Sequence, residues 1–581
     1  MASRLLTSFP AVCSFPRQPQ QLNHISNRSK FHRFNVFHAT QSHCEAVATK
    51  NISISGQEVE IVRRSANYHP SIWDYDYVQS LTSDYLDNES YKERARKLME
   101  EVRKLLDNVV DPLEKLELVD NLQRLGLSYK FEDEIKKILK DISADFSSVK
   151  DNLYGTAVGF RLLRQHGYNV NQVVFSGFLD EVGNFKASLS KDWKGMLNLY
   201  EASYLLMEGE RILENARAFV AKHLTECLNQ NNNEYILTLV EHAMEFPLHW
   251  RLPRMEARWF IDVYKKKQDK IPMFLELAIL EFNLTQAVHQ DDLKYAARWW
   301  KDLGLVEGLS FARDRVVENF LWSVGMMSRP QFGKARRVQT KVNALITSID
   351  DVYDIYGTLD ELELFTKAVE RWDINAIQSL PNYMKICFHA LYNSINEMAF
   401  DTLKEQDVDV IPLLKKLWTN LCKAYLLEAR WYHSGYTPTL KEYIENAWIS
   451  ISGSVLLAHS YLITDPITKE GLQGIEEYDP NIDEVKRGDT PKSIQCHMHE
   501  SGASEEEARE HIRKLIDETW RKMNKDRITK SPFSESFIEI AQNLARVAQF
   551  IYQYGDGHGI EDGVTKDRVL SLFIHPIPLP K

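Results

Sequence analysis

Apolar residues recur three and four apart along most of the chain, the spacing that places them on one face of a helix. Leu98, Val102, Leu105 and Leu106 follow it, and after Pro112 so do Leu116, Val119, Leu122 and Leu125. Period-two alternation, the mark of a half-buried strand, is nearly absent, so an all-α chain is expected. Turn residues separate the helices at short intervals, as at Asn231-Asn232-Asn233, Asp269-Lys270-Ile271-Pro272 and His433-Ser434-Gly435. The polar run 265–272 precedes a fresh apolar helix beginning Met273-Phe274-Leu275, which predicts two helical domains, 56–268 and 269–581. No fixed-period repeat argues for a solenoid. No uninterrupted apolar stretch of about 18 residues occurs, so no membrane-spanning helix is expected.

Length agrees with this division, because 581 residues exceed what one hydrophobic core organises. A net charge of -11 without a dense Lys/Arg stripe argues against a nucleic-acid partner. The N-terminus departs from the average: Arg4, Arg17, Arg28, Lys30 and Arg33 occur with several serines, and the first acidic residue is Glu45. That is the composition of a transit peptide, taken here as 1–55, and it points to a plastid, the chloroplast stroma. Beyond it Cys227, Cys387, Cys422 and Cys496 lie far apart without a CxxC pair, so reduced thiols are expected and neither a disulfide framework nor a zinc site.

Candidate chemistry concentrates where an apolar helix, KVNALITSIDDVYDIYG, ends in Asp350, Asp351 and Asp354 before Gly357. Carboxylates at a helix C-terminus face the negative end of the dipole, unfavourable by about 0.3–1 kcal/mol each unless a cation offsets it. With no Cys or His nearby, the fitting cation is hard and shares oxygens with a phosphate: Mg²⁺ or Mn²⁺. A solvated acidic helix end would carry the same residues. Upstream lie Arg313-Asp314-Arg315, and far upstream Arg63-Arg64 and Trp73.

Taken in order, RRSANYHPSIW, FARDR, IDDVYDIYG, KRGDTPKS and YQYGDGHG resemble the plant class I terpene synthases, in particular the monoterpene synthases, from about residue 61 to the C-terminus. The resemblance implies an N-terminal α-barrel and a C-terminal α-bundle that ionises a prenyl diphosphate, here geranyl diphosphate, with up to three Mg²⁺ ions. It implies Asp350, Asp351 and Asp354 as metal ligands and Arg313, Arg315 and Lys492 as donors to the diphosphate. Trp322 and Tyr552 become candidates to face a carbocation, at about 0.5–2 kcal/mol per aromatic face. His558 becomes a candidate proton acceptor, and Asp556 lies in a candidate lid loop. Arg63, Arg64 and Trp73 are implied at the active-site entrance, where such a pair supports cyclic ten-carbon products. A monomer is expected. No DxDD motif is present, so protonation-initiated cyclisation is not.

One stretch departs from the family. The second metal motif should end at Glu484, yet counting back from it places Pro480 where Ser or Thr is required. The text PITKEGLQGIEEYDPNI runs directly into DEVKRGD, as though a helix of about 20 residues, roughly 30 Å long, were missing. Loss of five buried aliphatic side chains at about 1.5–3 kcal/mol each would rival a whole folding stability. A short helix is expected near 468–478, and Gly453, after Ser452, is expected to interrupt the apolar run ISISGSVLL. Three other readings stay open: a chain-elongating prenyl synthase, for which a second DDxxD is lacking; a sesquiterpene or isoprene synthase; and a non-catalytic splice or gene-model product.

Overall fold

The computed structural model describes residues 45–52, 58–230, 233–476, 493–553, 558 and 563–580. The helices follow the periodicity closely. In helix Glu89–Asn108 the buried positions are Ala95, Leu98, Val102 and Leu106. Helix Pro112–Arg124 starts with proline in its first turn, where a missing N–H is harmless, and Asp111 caps it by accepting from the Glu114 N–H at 2.7 Å. Residues 267–271 join helix Pro253–Lys266 to the long helix Pro272–Leu303, again entered through a proline.

That long helix is shared between the halves, packing against Glu89–Asn108 on one side and Gly333–Asp351 on the other. The buried residues from Trp73 to Ile577 accordingly form one contiguous core. A second, smaller core lies where helices Leu440–Ser450, Ser493–Ser501 and Glu505–Arg527 meet, built on Tyr443, Ile494, Ile512 and Trp520. The Glu505–Arg527 helix also reaches the N-terminal half. Asp517 pairs with Arg217 at 2.5 Å, the Asn524 amide donates to Leu206 O at 2.9 Å, and Trp520 stacks on Trp250 at 5.5 Å.

Two features lie outside the helical pattern. Strands β1 (Glu45–Ile52) and β2 (Glu58–Ser65) form an antiparallel hairpin in which Glu45 faces Ser65 and Ile52 faces Glu58. The first strand falls within the stretch read as leader. The second leads into residues that follow the C-terminal half: the Gln79 amide donates to Lys294 O and the Lys294 ammonium to Leu81 O, both at 2.9 Å. The other feature is Leu440–Thr464, long and apolar enough to cross a membrane by composition, yet with 72% of its most apolar window buried inside the protein. It is broken into Leu440–Ser450 and Gly453–Thr464, and the residue in the left-handed region is Ser452, at φ 64°, rather than the glycine beside it. Cys387, Cys422 and Cys496 are buried and, like the partly buried Cys227, unbridged.

Candidate active site

The aspartate-bearing helix Gly333–Asp351 carries a buried polar stripe. Thr340, Thr347 and Ser348 return their hydroxyls to carbonyls one turn earlier, and Thr347 also donates to Asn319 Oδ1 at 3.2 Å. After Asp351 the helix widens into a single π turn, Val352–Tyr356, a local irregularity common at functional sites. Three contacts hold it. The Tyr353 hydroxyl meets Thr366 Oγ1 at 2.7 Å, Arg63 donates to Tyr356 O, and Gly357 passes so close to its neighbours that a Cβ there would lie 2.5 Å from Leu362 Cδ2 and 2.9 Å from Val352 O. Thr358 and Glu361 then form a capping box that starts helix Leu359–Arg371.

The three aspartates do not share one environment. Asp351 is fully buried, accepting from the Arg313 backbone N–H at 2.7 Å and lying 2.9 Å from Arg313 Nε. Asp350 and Asp354 are only partly covered, and Asp350 receives Arg313 Nη2 at 2.6 Å. Burial pushes the Asp351 carboxyl above the ordinary carboxylate range even though Arg313 pulls the other way. For Arg313 burial opposes the charge, but Asp351, Tyr68 and Asp350 outweigh it and hold the guanidinium firmly protonated. Tyr68 covers Arg313 with its ring at 5.3 Å. Tyr425 senses both outer carboxylates: burial raises its hydroxyl first, and Asp350 and Asp354 raise it further. Asp351 thus orients Arg313 through these contacts, from a more buried position than the other two expected metal ligands. Asp350 and Asp354 remain as oxygen donors suited to a hard divalent cation. Among the described residues no group of three or more His, Cys, Asp or Glu side chains is arranged to hold a metal, so such an ion would need further oxygens from diphosphate or water.

The remaining expected residues fall into two groups. Trp322, on helix Val316–Met326, meets Tyr552 edge to face with ring centroids 6.3 Å apart. One turn earlier on that helix, Asn319 Oδ1 lies 2.9 Å from His558 Nε2, so the C-terminal segment is tied to the same face. Asn319 and Thr347 were not read from the sequence. Their signal is a run of polar residues at helical spacing, 319 and 323 facing 340, 343 and 347, where apolar ones belong.

Arg63, Arg64, Trp73 and Arg315 are instead engaged by the protein itself. Arg63 forms a two-pronged pair with Glu361 at 2.8 Å on both arms and lies 4.5 Å over the Tyr356 ring. Arg64 covers Tyr432 at 3.8 Å, and the Trp73 indole donates to Glu318 at 3.0 Å. Arg315, 1% exposed, donates to the carbonyls of Asp314 and His69. These four lash residues 63–73 onto the C-terminal half, beside the aspartate turn. Glu484, Lys492 and Asp556 lie outside the described residues.

The chain matches the family profile "Terpene synthase, N-terminal domain" over residues 72–244 and "Terpene synthase family, metal binding domain" over 301–483. The chain belongs to the terpene synthase family. A further profile, "Terpene synthase family 2, C-terminal metal binding", takes over at 481–522, so the two metal-binding matches meet at the junction that departs from the family text. The chain is 54% identical to (-)-alpha-terpineol synthase of Vitis vinifera, covering 100% of this chain and 99% of the relative, and 56% identical to the chloroplastic myrcene synthase of Quercus ilex, covering 100% of both. The first alignment spans 600 positions against 581 residues here, so about 19 positions carry no residue of this chain. Among solved structures, limonene synthase with 2-fluorolinalyl diphosphate superposes at a TM-score of 0.85, with 44% identity over 89% of this chain and 100% of that one. Isoprene synthase from grey poplar (Populus x canescens), in complex with three Mg²⁺ ions and dimethylallyl-S-thiolodiphosphate, superposes at 0.80, with 45% identity over 88% of this terpene synthase and 100% of that chain.

Proposed function

We propose that this terpene synthase ionises geranyl diphosphate and releases diphosphate and a cyclic monoterpene. The observation that carries the reading is the pairing of Arg313 with Asp350 at the edge of the aspartate turn. It sets a guanidinium suited to two-pronged phosphate contact beside carboxylates suited to a hard cation. Asp350 and Asp354 would hold divalent ions, Mg²⁺ by preference, and these supply charge stabilisation for the departing diphosphate. Arg313 donates to the same leaving group, while Asp351 keeps it oriented. Trp322 and Tyr552 present aromatic faces to the allylic cation. His558, held by Asn319, stands on the same side to receive a proton. Arg63, Arg64, Trp73 and Arg315 contribute by holding residues 63–73 over the turn. The basic, acid-free N-terminus and the chloroplastic relatives support plastid residence in the stroma, and we take the working form as a monomer without a membrane span.

Incubating the chain from residue 56 with geranyl, farnesyl and dimethylallyl diphosphates plus Mg²⁺, and identifying volatiles by gas chromatography, tests the assignment. Preference for geranyl diphosphate supports it, and preference for either other substrate refutes it. A second reading is favoured by the 481–484 junction: a chain whose first metal motif is complete and whose second is lost. It predicts that the chain binds the substrate analogue yet turns geranyl diphosphate over only feebly.

A further inference from the structure

A cleft of about 660 Å³ runs between the two halves, bordered by 123–139 and 164–168 on one side and by 278–285 and 524–546 on the other. It contains none of the aspartate-turn residues. Eight Lys and Arg side chains line it against five Glu, in a chain whose overall charge is -11. All five carboxylates are already taken. Glu132 and Glu539 share Arg329, Glu256 holds Arg124, Glu281 holds Lys130, and Glu535 holds Arg527. Arg164 pairs with Glu210 and Arg251 with Glu245 outside the cleft lining, which leaves the exposed Lys136 and the more enclosed Arg546 and Arg254.

Arg546 is 9% exposed, and its hydrogen bonds run only to neutral oxygens, His249 O at 2.9 Å and Asn543 Oδ1 at 2.8 Å. Arg254 donates to Phe282 O at 2.9 Å and lies 3.7 Å over the Phe282 ring, while its Nε finds no partner. Among the described residues no carboxylate lies within ion-pair distance of either, although Glu281 acts on Arg254 and Glu539 on Arg546 from farther off. Burial draws both guanidinium groups down, Arg254 to about 9 and Arg546 to about 10. A guanidinium drawn out of water without a directly paired carboxylate is destabilising, more so for the buried Arg546 than for the partly covered Arg254, and an anion in the adjoining space relieves it.

We propose that this interdomain cleft binds a small phosphate-class oxyanion, with Arg546 and Arg254 as its cationic donors. Planar guanidinium groups suit tetrahedral oxyanions better than they suit chloride, because two N–H bonds meet two oxygens at once. The ligand comes either from free inorganic phosphate or from diphosphate, and the two arms of the test separate these sources. The site is distinct from the aspartate turn, so occupancy does not require a divalent ion.

The test uses full-length protein in EDTA. Inorganic phosphate, inorganic diphosphate and chloride are titrated at matched ionic strength, with binding followed by calorimetry and melting by fluorimetry. The expected result is saturable binding of at least one oxyanion and a rise in Tm that chloride does not give. The tighter binder of the two identifies the source. Arg546→Met is expected to melt higher than wild type without ligand, since an uncompensated charge is gone, and to bind oxyanion about tenfold or more weakly. Arg254→Met is expected to weaken binding in the same direction, and Asp350→Asn to leave it unchanged. The proposal is overturned if neither oxyanion exceeds chloride on wild type, which needs no variant to fold. It is equally overturned if Arg546→Met and Arg254→Met bind like wild type, or if Asp350→Asn abolishes binding.

Discussion

Single residues in the site differ sharply in what their loss should do. Asp350 is partly exposed and Asp351 fully buried, though they are adjacent and chemically identical. Asp350→Asn should leave the urea midpoint almost unchanged while lowering turnover about 10²–10³-fold, the effect of removing one charge-stabilising group. Asp351→Asn should lower turnover and also destabilise the protein by about 3–5 kcal/mol, because it removes the buried carboxylate paired with Arg313 Nε and leaves the guanidinium only Asp350. Equal midpoints for the two variants would refute the division of roles. A residue outside the site offers a pH test. Burial lifts Glu201 to about 7, against the Leu248 N–H and the cations Arg161 and Arg124. Its folded pKa thus exceeds the unfolded one, so the native state keeps a proton that the unfolded chain releases between about 4.5 and about 7. The stability from that proton is full below the window and falls as pH rises through it. Relative to wild type, Glu201→Gln should gain on the order of 2 kcal/mol across the window, read from urea midpoints at each pH. The aspartate motif was legible at this scale because its chemistry is local. The split between Asp350 and Asp351 was not, because the contact that makes it comes from Arg313, brought there by the fold.

Secondary-structure elements were legible wherever their periodicity reflects burial, as in Glu89–Asn108 and Pro112–Arg124. They were missed where tertiary contacts override pattern. Strand β2 has only a short alternation, at Val59, Ile61 and Arg63, and Arg63 faces Glu361 rather than solvent. The break at 451–453 was anticipated at the glycine, yet Ser452 takes the left-handed conformation, its hydroxyl bonded to Ile451 O. The π turn left no mark in the sequence beyond Gly357, whose missing side chain lets Leu362 and the Val352 carbonyl close over it. Gly357→Ala should force those groups apart, costing about 1–3 kcal/mol in a urea titration. Because the same turn carries Asp354, the metal requirement for half-maximal turnover should rise as well. A variant as stable as wild type would show that the turn accommodates the methyl group.

At the scale of the whole molecule, the 265–272 boundary predicts two domains, and the buried core is continuous through both halves by way of helix Pro272–Leu303. Thermal unfolding should therefore give one transition, with tryptophan fluorescence and far-UV circular dichroism coincident. Two resolved transitions would mean that the halves are energetically separate. The junction at 481–484 makes a second prediction of this scope. Inserting the roughly 20 residues that complete the second metal motif should raise turnover of geranyl diphosphate by more than about 10³-fold, equivalent to about 5 kcal/mol of barrier. An unchanged rate would show that the motif is dispensable here. The Glu505–Arg527 helix gives this junction a wider meaning. It is seated by Arg217, Leu206 and Trp250 from the opposite half, contacts that owe nothing to the chain immediately before it. It thus serves as a keystone: its hold on the opposite half fixes where the chain resumes on its way to Tyr552 and His558, beside helix Val316–Met326.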